Sequence, residues 1–269
     1  GDFGGNTISQ FTITAATGVL AANVPPSIAT GGGSQPRNLR VTPDGRFLYL
    51  SAGGAQLIQA YSINQSTGTL SFINSYPAGA AQTDIDPTGR YLIATTTSGL
   101  ALNTFSIDQS TGALTLIATS ASLNLIGPAT LHPSGQFFYT DSGVPDSVTA
   151  LRLDMNTGRL TVVGTVATGV GPNGSAVHPS GNFLYTANLT GGTITVFAIN
   201  QADGSLTQTS TAPASVNIRF IIFDPTGNYA YVANNAGNLL EYSVDQATGA
   251  LTSIGSVNAG GNQWNLTLL

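Results

Sequence analysis

Short stretches of alternating apolar and polar residues run along the whole chain, each broken by Gly, Pro, Thr or Asn. Thr193-Ile194-Thr195-Val196-Phe197-Ala198-Ile199 is typical. Alternation with β-branched and aromatic residues is the pattern of a half-buried strand. No useful length of 3.6-residue periodicity occurs, so almost no helix is expected.

The stretches recur on a fixed period. A Pro-x-Gly turn appears at Pro43-Asp44-Gly45, Pro87-Thr88-Gly89, Pro133-Ser134-Gly135, Pro179-Ser180-Gly181 and Pro225-Thr226-Gly227, with the prolines 44 to 46 residues apart. An aromatic run follows each, as in Phe47-Leu48-Tyr49 and Phe183-Leu184-Tyr185. A second motif, Thr-Gly-x-Leu or its Asp-Gly variant, occurs six times, with glycines at 18, 68, 112, 158, 204 and 249. Gly takes positive φ without strain and Pro fixes φ, so both motifs are turns.

Each period holds four strands. One precedes the Pro-x-Gly turn, the aromatic run is the second, an alternating stretch is the third, and the fourth follows the Thr-Gly turn. Four strands in about 46 residues is the signature of a propeller blade. The fold expected is all-β: a six-bladed β-propeller of four-stranded antiparallel blades in one domain, residues 1–269. Asn6 to Thr14 matches a third strand, and Asn265-Leu266-Thr267-Leu268 matches a first strand. The closing blade is therefore expected to be built from both termini and to lack its second strand. Such an open blade invites self-association by strand addition, or marks a chain cut from a longer protein. Along the second strands, Phe183 and Tyr185 are expected to alternate between core and surface.

With Phe183-Leu184-Tyr185-Thr186-Ala187-Asn188, Asn64-Gln65-Ser66-Thr67-Gly68 and the Pro-x-Gly turns in view, the chain resembles lactonase-family β-propellers. These include 6-phosphogluconolactonase-like proteins and YVTN-repeat surface proteins. The resemblance spans essentially the whole chain and rests on turn and core residues. It implies a propeller, usually of seven blades, and activity toward lactones, with His, Arg and Glu around the central channel.

Composition narrows the partners. Charged residues are only 7% of the chain and the net charge is -5, with seven Arg, no Lys and a single Glu, Glu241. No basic field exists to neutralise phosphates, which argues against nucleic acid. No stretch reaches the ~20 apolar residues of a membrane helix. There is no Cys, so disulfides and thiolate sites are absent. A Thr/Ser/Asn/Gly-rich chain of this kind suits a bacterial secreted or cell-surface protein.

Candidate chemistry lies on the first strands. The column six residues before each proline holds Arg37, Ala81, Gly127, Asn173 and Arg219, and Trp264 falls in the same column of the C-terminal copy. Arg37, Asn173, Arg219 and Trp264 are the candidate ligand-binding residues. Arg offers a planar donor fork and Trp a stacking face, a set suited to an anionic sugar or lactone. Three residues before the proline, Arg40 and Asp84 stand on adjacent repeats and are expected to pair. His132 and His178 precede Pro-Ser-Gly where other repeats have Thr42, Asp86 and Asp224, which reads as turn capping. No catalytic base is evident, and no metal or cofactor is expected. The leading reading is a secreted binding or structural module with a site at the channel mouth; the alternative is a hydrolase of a sugar-acid lactone.

Overall fold

The computed structural model describes residues 4–14, 16–31, 33–96, 101–120, 123 and 129–260. The chain forms two compact units, one of Gly1–Ser122 with Met155–Arg159, the other of Leu123–Asp154 with Leu160–Leu269. No helix occurs among the described residues.

The first unit opens with a two-stranded sheet, β1 (Thr7–Ile13) and β2 (Leu20–Ala29). Two four-stranded sheets follow. One has β3 (Pro36–Val41), β4 (Phe47–Ala52), β5 (Leu57–Ile63) and β6 (Leu70–Pro77). The next has β7 (Ala80–Ile85), β8 (Tyr91–Thr96), β9 (Leu102–Ile107) and β10 (Leu114–Thr119).

The second unit has three sheets of the same plan. They comprise β11 (Thr130–Leu131), β12 (Phe137–Gly143), β13 (Asp146–Leu153) and β14 (Leu160–Ala167); β15 (Pro172–Val177), β16 (Phe183–Asn188), β17 (Thr193–Ile199) and β18 (Leu206–Pro213); and β19 (Ile218–Phe223), β20 (Tyr229–Asn234), β21 (Asn238–Val244) and β22 (Leu251–Asn258). Every pairing is between sequence neighbours and antiparallel, with the predicted turns between them. β1 and β2 sit where a third and fourth strand were expected; residues 264–268 lie outside the described residues.

The core lies between sheets. In the first unit Phe47, Tyr49 and Ile58 meet Leu92 and Phe105. In the second, Phe137 and Tyr139 meet Leu184 and Phe197, while Tyr185 and Val196 meet Ile218, Val232 and Tyr242. The sheet of β15–β18 is thus covered on both faces. For this reason the alternation expected along the aromatic strand is absent: all six residues of β16, Phe183 and Tyr185 included, are buried.

Candidate functional site

The first strands β3, β7, β15 and β19 share one irregularity. Pro36 pairs with Ala52 and Asn38 with Ser51, which leaves Arg37 as the extra residue of a β-bulge. The same slip leaves Ala81 in β7, Asn173 in β15 and Arg219 in β19. At these four positions the column found by counting back from the prolines is therefore a column of bulges. A bulge breaks the ladder and re-aims its side chain, and bulges concentrate beside functional sites.

In the second unit two bulges stand side by side, and Arg219 Nη1 donates to Asn173 Oδ1 at 3.4 Å. Both residues are half-buried. Gly174 sets this approach, because a Cβ there would collide with the backbone carbonyl oxygen of Arg219. In the first unit Arg37 is exposed, and its side chain lies over Gly53, where a Cβ would strike the guanidinium. Trp264, like Gly127, lies outside the described residues. The structure thus joins Asn173 to Arg219.

Other predicted contacts form as expected. Arg40 Nε donates to Asp84 Oδ1 at 3.1 Å. Burial outweighs the charge of Arg40 and holds the Asp84 carboxyl above its ordinary value. His132 and His178 cap turns. The Nδ1 atom of His132 accepts from the backbone N–H of Ser134 at 3.0 Å, and Nε2 donates to the carbonyl of Gly181 at 2.9 Å. His178 repeats this with Ser180 and Gly227. Asp86 and Asp224 cap the equivalent turns through the N–H groups of Tyr91 and Tyr229. The same Nδ1 atoms also meet the hydroxyls of Ser134 and Ser180 at 2.8 Å, so each histidine and its serine close one turn together.

Asp141 escaped the sequence reading. It lies on β12, fully buried. Its Oδ1 accepts from Ser175 Oγ at 2.5 Å, and Oδ2 is buried with no hydrogen-bond partner among the described residues. Burial pushes its pKa up to about 6, against the opposing effect of the Ser175 bond. Ser175 is half-buried on β15, two residues beyond Asn173. The signal was present in the sequence: the equivalent positions of the other repeats are Ser51, Thr95, Ala187 and Ala233, so Asp141 is the one acid in its column. Among the described residues no group of three His, Cys, Asp or Glu could hold a metal, and no helix is long and apolar enough to cross a membrane.

Comparison with known proteins places this architecture. A protein of Bacteroides uniformis named as a candidate 6-phosphogluconolactonase superposes with a TM-score of 0.80 at 18% identity, over 98% of this chain and 85% of that one. The periplasmic gluconolactonase PpgL of Pseudomonas aeruginosa gives 0.75 at 19%, over 94% and 80%. A functionally unknown protein of Desulfotomaculum acetoxidans gives 0.78 at 18%, over 95% and 78%. At such identities the likeness is one of fold. No curated protein sequence matches. The model of the family described as "Lactonase, 7-bladed beta-propeller" matches residues 5–126 and 127–265. Nearly the whole length is matched, and the chain, an all-β propeller of four-stranded antiparallel blades, belongs to the lactonase family.

Proposed function

We propose that the chain hydrolyses the lactone of a sugar acid and that Asn173 and Arg219 hold the substrate. The observation that carries this reading is the pair of adjacent bulges presenting these two side chains in a lactonase-family chain. A guanidinium binds a carboxylate or phosphate through a planar fork, and it stabilises the oxyanion that forms when water adds to a lactone carbonyl. The neighbouring amide fixes the plane of that fork. Collapse of the tetrahedral species breaks the ring C–O bond and yields the hydroxy acid. Arg37, on the equivalent bulge of the first unit, is a second candidate for an anionic group.

This reverses the order in which composition ranked the functions. The scarcity of ionisable groups favoured a binding module, but a hydrolase of this type needs only an anion-binding donor and one proton acceptor. Family membership and the gluconolactonase names of the neighbours support the hydrolase. The extracellular setting stays a proposal drawn from composition.

The test is acid release from gluconolactone and 6-phosphogluconolactone, with Arg219→Ala and Asn173→Ala as variants. Turnover by the parent chain and a loss of about 100-fold or more in Arg219→Ala are expected. Binding of gluconate without turnover of any lactone would return the protein to the binding-module class.

A further inference from the structure

We propose that Ser175 and Asp141 together accept the proton of the attacking water, with Ser175 Oγ as the relay and the Asp141 carboxylate as the sink. The inference rests on the lactone hydrolysis proposed above and supplies the base that reading lacks.

The carboxyl of Asp141 is sealed from solvent, so it cannot meet a substrate directly. Ser175 is half-buried on β15, the strand that carries Asn173, and it bonds Asp141 Oδ1 at 2.5 Å. The backbone carbonyl of Ser175 accepts from Thr130 Oγ1 at 3.0 Å, which fixes the residue against β11. Asp141 Oδ2 is buried and has no hydrogen-bond partner among the described residues. An orphaned buried acceptor is costly, and in native proteins it calls for a reason such as a catalytic role.

The elements packed against β12 bring little charge to this carboxyl. β11 and β15 carry no titratable side chain, and β13 carries Asp146 and Arg152. Asp146 is turned to the backbone N–H of Gly171. Burial is what raises the affinity of Asp141 for a proton, and its value of about 6 suits a base working near neutrality.

Water donates a proton to Ser175 Oγ as its oxygen bonds to the lactone carbonyl carbon. Ser175 passes its own proton to Asp141 Oδ1. When the ring C–O bond breaks, the proton returns by the same route to the departing alkoxide. The products are the hydroxy acid and the unchanged dyad, and Ser175 forms no acyl intermediate.

The experiment measures kcat against pH for the parent chain, Asp141→Asn, Ser175→Ala and Ser175→Thr. The parent should show one acidic limb near pH 6. In Asp141→Asn and Ser175→Ala kcat should fall about 100-fold or more, with KM little changed and the limb gone. Ser175→Thr keeps a hydroxyl and should keep the limb. Ser175→Ala decides the matter if Asp141→Asn does not fold. Retention of the limb and of kcat in Ser175→Ala would overturn the dyad while leaving the hydrolase standing. A parent chain that hydrolyses no lactone overturns the hydrolase itself. The dyad is then judged by carboxyl-carbon NMR titration of Asp141 with a gluconolactam. A midpoint moved by the lactam in the parent but not in Ser175→Ala supports it, and an unmoved midpoint ends it.

Discussion

The hydroxyl of Tyr185 donates to the carbonyl oxygen of Gly249 at 2.7 Å, joining an aromatic strand of one sheet to the Thr-Gly turn of the next. Tyr49 does the same to Gly112 and Tyr139 to Gly204. The Phe two residues earlier lies flat on the same glycine: a Cβ on Gly249 would stand 2.6 Å from Cδ1 of Phe183. Where the third aromatic position holds Ile93, Tyr91 instead donates to the carbonyl of Met155 at 3.2 Å. The two repeated motifs are thus the two halves of one contact, made about 64 residues apart in the chain.

Removing this contact has a definite cost. Tyr185→Phe leaves a buried carbonyl without its donor and should destabilise by about 1–3 kcal/mol. Gly249→Ala adds a clash with Phe183 to the strain of φ +72° and should cost at least as much. Gly18 has a similar φ of +70° with open space around it, so Gly18→Ala isolates the strain. Denaturant titration of the three variants checks the ranking, and equal losses in the two glycine variants would show that Phe183 does not press on Gly249.

The turns and strands could be read from the sequence because their causes are local. Thr-Gly and Pro-x-Gly act within four residues, and the β-branched runs act within seven. The partner of Tyr185 could not, because nothing near position 185 names position 249. The column of Arg37, Asn173 and Arg219 was visible as spacing, but the bulge that explains it is a property of pairing with the next strand. Asp141 was missed for a related reason. Its chemistry comes from burial between β12 and β15, and the sequence marks it only as the one acid in its repeat column, with nothing to say that it is buried or that it faces Ser175.

Gly174 is the position on which the Asn173–Arg219 pair turns. Its conformation is ordinary; what it lacks is room, since any side chain meets the Arg219 carbonyl. Gly174→Ala should force β15 and β19 apart, cost about 1–3 kcal/mol, and weaken lactone binding. Thermal unfolding and KM for gluconolactone check both effects. A variant as stable as the parent would mean that the strands do not approach this closely.

Acid stability should depend on the turns between third and fourth strands. Asp108 accepts from the N–H groups of Ser110 and Thr111, and Asp245 from those of Ala247 and Thr248. These bonds hold both carboxyls below their ordinary value. A depressed carboxylate contributes stability above its unfolded pKa, and that contribution is lost as pH falls through the folded one. Asn64 and Asn200 cap the same turns in other repeats and cannot titrate. The double variant Asp108→Asn, Asp245→Asn should therefore unfold in acid at a lower pH than the parent, followed by circular dichroism. An unchanged acid midpoint would remove these turns from the account.

Asp141 runs in the opposite sense. Its folded pKa of about 6 lies above the ordinary carboxylate value of 3.8, so the folded chain binds the proton more tightly than the unfolded chain. The unfolded state loses its proton first as pH rises, and stability then falls across the window from about pH 4 to pH 6. The shift corresponds to about 3 kcal/mol, fully expressed above that window. Asp141→Asn keeps an acceptor for Ser175 but carries no charge, so it should remove this decline. Relative to the parent, the variant should gain stability steadily from pH 4 to pH 6 and hold the gain at pH 7. Urea titrations at pH 4, 5, 6 and 7 measure the difference. Parallel stability curves for the two proteins would show that Asp141 is solvated, and the buried proton sink would go with it.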